Sequence, residues 1–74
     1  MPVYSEITYS THAERRMRKR RISRADVALV LRIGDGFLEE DGTWTFDLGH
    51  IRVVIVERDT NAHVVTVIRL RKQT

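Results

Sequence analysis

The chain has 74 residues, 42% of them hydrophobic, with no cysteine and a net charge of +3. A chain of this length is at the lower edge of what one hydrophobic core can support, so neither a second domain nor a large enclosed substrate cavity is expected, and residues 1–74 should make one domain. The missing cysteines rule out disulfides, thiol nucleophiles and cysteine-bound zinc, and neither a secretory leader nor a run of roughly 20 apolar residues is present, so a soluble cytoplasmic protein is expected.

Residues 3 to 9 are rich in β-branched and aromatic side chains and suggest a short edge strand. Thr11 followed by Glu14 has the form of a capping box, which predicts a first helix starting at His12. That helix has a narrow apolar stripe, Ala13 and Met17 and then Ile22, which leaves its arginines in water. Ser23 followed by Asp26 is a second helix start, and the run from Ala25 to Ile33 predicts a far more apolar helix ending at Gly34.

After Gly34 the period changes to two. Phe37 to Glu40 and Thr43 to Leu48, joined by Asp41-Gly42, predict a hairpin on a two-residue turn with Trp44, Phe46 and Leu48 on the core face. Ile51 to Glu57 and Val64 to Leu70 carry Val or Ile on both faces, as central strands do. The order predicts an α+β fold in which two N-terminal helices pack on a three- to four-stranded antiparallel sheet. In a regular last strand, His63, Val65, Val67 and Arg69 would share one face, with Thr66 on the other beside Val64 and Ile68.

Charge is unevenly placed. Seven of the thirteen basic residues (Arg15, Arg16, Arg18, Lys19, Arg20, Arg21 and Arg24) fall within ten positions, whereas Asp35, Glu39, Glu40 and Asp41 cluster elsewhere. The basic end should attract nucleic acid or an acidic protein. His12, Arg16 and Arg20 recur every four residues, drifting about 40° per step on a helix. Metal-free RNA cleavage drives the 2′-hydroxyl onto its own phosphorus and needs a proton acceptor beside cations that hold the phosphate. His12 fits the acceptor, Arg16 and Arg20 the cations; the same row would bind phosphate without chemistry.

The string His12-Ala13-x-x-Arg16-Met17-x-x-Arg20-x-Ile22-Ser23, with Val30-Leu31, Ile51-Arg52-Val53-Val54 and Val65-Thr66-Val67-Ile68, resembles domain-of-unknown-function family 4258. That family is grouped with the RelE-like, barnase–EndoU–colicin–RelE class of small α+β folds, many of them toxin ribonucleases. The resemblance implies metal-independent RNA cleavage with His12, Arg16, Arg20 and Thr66 as the catalytic positions. Arg21 departs from it, standing where the family commonly has Gly, so the turn after the first helix is expected to differ there.

Arg15, Lys19, Arg52 and Arg69 are expected to contact nucleic acid alongside that row. RNA is the expected partner, with an antitoxin or other acidic protein as the alternative, acting on a monomer or homodimer. The three histidines have no metal-ligand spacing, so neither metal nor cofactor is expected. His63 reads as a strand-end residue, His50 as a turn residue, and Trp44 and Phe46 as core. A non-catalytic nucleic-acid-binding module remains the rival to the ribonuclease.

Overall fold

The structure is a computed structural model and describes residues 4–70. Its elements run β1 (Glu6–Tyr9), α1 (Thr11–Arg20), α2 (Arg24–Ile33), β2 (Asp35–Leu38), β3 (Trp44–Leu48), β4 (Ile51–Arg58) and β5 (Asn61–Arg69). The strands form one sheet in the order β1-β5-β4-β3-β2. The α+β order of the sequence holds, but the sheet is five-stranded and mixed, correcting the expected three- to four-stranded antiparallel one. Its parallel pair joins β1 to β5, Ile7 standing opposite Ala62 and Tyr9 opposite Val64. No local pattern signals such a pairing, since its partners lie more than fifty residues apart in the chain. Val3, placed in this strand by the sequence reading, lies outside the described residues.

Both helices cover one face of the sheet. Ala13 and Met17 of α1 and Val27, Val30 and Leu31 of α2 are buried there against Phe46, Val53, Ile55, Val64 and Val67. The face turned away from the helices carries Val54, Val56 and Thr66, half-buried, and Ile68, 38% exposed. β4 and β5 are thus central in the sheet, and among the described residues their second apolar face has no covering layer.

Three local expectations shift. The N-cap of α1 is Ser10, not Thr11: its Oγ accepts from the Ala13 amide, while Glu14 turns toward Arg24 instead of closing a capping box. At α2 the capping box forms as the sequence predicts, Ser23 with Asp26. Backbone and side-chain hydrogen bonds from Ser23 hold the Asp26 carboxyl below its ordinary value. The β2–β3 connection has five residues, 39–43, rather than two, with the Glu39 amide donating to the Thr43 carbonyl and Gly42 at φ 91° in the left-handed region.

The third shift is in β5. Val54 faces Thr66 but Ile55 faces Val64, so Val65 is an extra residue, a bulge that reverses the alternation beyond it. His63, opposite Val56, and Thr66, opposite Val54, therefore share the outer face, whereas Val67 and Arg69, opposite Val53 and Ile51, lie on the helix face. This overturns the expected grouping of His63 with Arg69 and of Thr66 with Val64.

Candidate functional site

The site is built outward from the start of α1. β1 pairs with β5 only as far as Val64, and at that point Ser10 turns the chain into α1: its amide donates to the Val64 carbonyl at 2.9 Å and its Oγ to the Val65 carbonyl at 3.0 Å. The helix then runs along β5 with Ala13 and Met17 inward. At 100° per residue Glu14 lies on one flank of this stripe and His12, Arg16 and Arg20 on the other. Glu14 faces α2, its Oε2 lying 3.3 Å from Arg24 Nη2. The His12–Arg16–Arg20 row is consequently on the flank turned away from α2, past the end of β1.

His12 is the second residue of α1 and is exposed, Arg16 is half-buried and Arg20 exposed. Ser10 satisfies the Ala13 amide and leaves those of Thr11 and His12 at the positive end of the helix dipole. Arg15 and Lys19 are exposed one turn apart, farther from the core. Among the described residues none of Arg15, Arg16, Arg18, Lys19, Arg20 and Arg21 is paired with a carboxylate. Of the basic residues from Arg15 to Arg24 only Arg24 is, and its guanidinium carbon also sits 4.8 Å from the centre of the Tyr9 ring, a cation–π contact.

The other sequence candidates do not join the row. Thr66 is on the outer sheet face, across the sheet from the helices. Arg52 is on that outer face too, where Nε and Nη2 grip the Asp47 carboxylate at 2.7 and 2.8 Å. This hydrogen bonding lowers the Asp47 pKa, raises that of Arg52 and neutralises a charge expected to meet phosphate. Arg69 donates from Nη2 to the Arg20 carbonyl at 3.0 Å, placing its charge at the negative end of α1 as a cap. It fixes the helix that carries the row.

Sequence reasoning passed over two features. His63 Nδ1 is 2.8 Å from Thr8 Oγ1 across the parallel pair, beside a polar hollow lined by Thr8, Arg58, Asn61 and His63. Period-two spacing from Asn61 would have put His63 and Asn61 together; Thr8 joins them only through the long-range pairing. Separately, an apolar groove of about 510 Å³ runs between β1 and α2, lined by Ile7, Ala25, Ala28 and Leu29 among others. At its end Tyr4 donates to Glu57 at 2.8 Å; burial, then that carboxylate, pushes the Tyr4 hydroxyl well above its ordinary pKa. His50 sits in the β3–β4 turn, as expected, beside Gly49 at φ 60°.

Among the described residues no three His, Asp or Glu side chains gather to hold a metal, and no helix is long and apolar enough to cross a membrane. The family described as Domain of unknown function (DUF4258) matches residues 9–69, a span that starts just before the Ser10 cap and ends at Arg69. No curated protein matches the chain. Among solved structures, a chain in the crystal structure of the toxin-antitoxin complex RelBE2 from Mycobacterium tuberculosis is similar, with a TM-score of 0.66 and 24% identity over 93% of this chain and 99% of that one. The two share a fold.

Proposed function

The chain belongs to the DUF4258 family, and from its geometry we propose that it is a toxin-type module that engages RNA through the basic flank of α1. The observation that carries this reading is the set of six cations from Arg15 to Arg21 that no described carboxylate neutralises. Such a surface gains affinity by releasing counterions from a phosphate backbone, and arginine adds bidentate contacts. Likeness of fold to a chain of a toxin-antitoxin complex supports the toxin type.

His12 adds cleavage to binding. It is exposed at the head of the row, one turn from Arg16, where the imidazole could take the proton of a 2′-hydroxyl as that oxygen bonds to the adjacent phosphorus and the bond to the 5′ oxygen breaks, the leaving oxygen taking a proton from water while the arginines hold the phosphate. Thr66 is not part of this arrangement. The test is RNA incubated with the pure protein in EDTA: cleavage leaves 2′,3′-cyclic phosphate ends, which His12→Ala abolishes while binding persists. Intact RNA with salt-sensitive binding reduces the reading to a binding module, and no RNA binding at low salt sinks it.

A protein partner of the antitoxin kind is the second reading, favoured by the apolar groove between β1 and α2 and by Leu29 and Ile33 on α2, 40% and 49% exposed. Co-purification with the product of an adjacent reading frame, lost in Leu29→Glu, tests it.

A further inference from the structure

Apart from α1, the geometry points to a second anion site: Arg58, Asn61 and His63 surround a hollow on the outer sheet face suited to a phosphate group. Two connections assemble it. The turn at Asp59 and Thr60 sets Arg58 opposite Asn61 at the end of β4 and β5, and the parallel pairing sets Thr8 opposite His63. The resulting hollow has a volume of about 200 Å³. That is roughly seven waters' share of liquid volume, space for one phosphate and part of its hydration.

The lining is made of donors. Arg58 is exposed, pairs with no carboxylate among the described residues, and offers a planar guanidinium; Asn61 offers an amide. The 2.8 Å contact with Thr8 Oγ1 occupies His63 Nδ1 and fixes the ring; where Thr8 Oγ1 is the donor, Nε2 carries the ring proton and is left to donate to an anion. No carboxylate lines the hollow, which excludes a hard cation and suits an anion with several acceptor oxygens. Of the nearby acids, Glu57 is engaged by Tyr4; Glu6, opposite Asn61 on the same strand face as Thr8, and Asp59 in the turn do not line the hollow, but their charge weakens the pull on an anion and sets a modest affinity.

The phosphate could be free or part of an RNA backbone. Thr8 is two residues before Ser10, about 7 Å along an extended strand, so a bound phosphodiester would lie close to where α1 begins. The site does not depend on the α1 reading, because none of its four residues belongs to that helix.

The experiment is an NMR titration of the full-length chain at constant ionic strength with inorganic phosphate and, separately, a diribonucleoside monophosphate. The expected result is saturable shifts at Thr8, Asn61 and His63, with binding weakened about tenfold in Arg58→Gln and in His63→Gln, and unchanged in Arg16→Gln. Tighter binding of the dinucleotide identifies RNA backbone as the source, and equal or tighter binding of inorganic phosphate identifies the free ion. Shifts that chloride reproduces, or that persist in both folded variants, overturn the site. Loss of RNA binding in α1 variants with the phosphate titration intact would separate the two surfaces.

Discussion

Ser10 and Val65 lock the helix to the sheet: the Ser10 hydroxyl donates to the Val65 carbonyl at 3.0 Å while the same oxygen accepts the Ala13 amide at 2.9 Å. One side chain thus caps α1 and satisfies the backbone of the bulged residue, which a regular ladder would have left without that partner.

Ser10→Ala removes both bonds and should cost about 1–2 kcal/mol, a fall in Tm of roughly 5–15 °C for a domain this small. Thermal melts followed by circular dichroism measure it. A change within experimental error would mean that Thr11 takes over the cap.

Arg21 closes α1 at φ 58° and ψ 44°, a left-handed conformation that strains any residue with a Cβ. Arg21→Gly should relieve the strain and, after the greater freedom glycine has when unfolded, raise stability by up to about 1 kcal/mol. Urea denaturation reads the shift in midpoint. This is the position where the family resemblance led one to expect glycine.

Arginines that look equivalent in the sequence should differ in solution. Replacing Arg16 or Arg20 by Gln should each lower the dependence of log affinity for RNA on log salt by about 1. Arg52→Gln should leave the slope nearly unchanged, because Asp47 already neutralises that guanidinium. Filter binding across a salt series distinguishes them.

The same ion pair makes a prediction about pH. Asp47 has a lowered pKa, chiefly through its hydrogen bonds from Arg52, so its contribution to stability is present above the unfolded carboxyl value, about 3.9, and is lost as pH falls through the folded value. The pair is partly open to water, with side chains 37% and 24% exposed, so the effect is modest. Carboxyl NMR should show the Asp47 pKa rising toward normal in Arg52→Gln, and the acid-side loss of stability should be correspondingly smaller.

Much of the fold was legible because its signals are local. The Ser23–Asp26 capping box, the apolar run of α2, the hairpin of Trp44 and Phe46 and the turn at His50 all follow from residues within a few positions of each other. The failures all lie in which strands pair and in what register. β1 joins β5 across the whole chain, Arg52 meets Asp47 through the strand register, and the Val65 bulge leaves no mark in composition, yet it decides whether Thr66 or Arg69 faces the helices. His12, Arg16 and Arg20 were placed on one flank by periodicity alone, since a helix fixes that relation wherever it packs.

The pairing of β1 with β5 has a consequence for synthesis. The chain leaves the ribosome from its N-terminus, so β1, α1 and α2 emerge before the strand that receives them. Until residues 61–69 follow, Ser10 has no carbonyl of Val64 or Val65 to bond, and Arg69 is not there to hold the end of α1. Helical segments this short are marginal in water on their own. The basic flank therefore takes its final shape only after residues 61–69 have emerged and paired with β1.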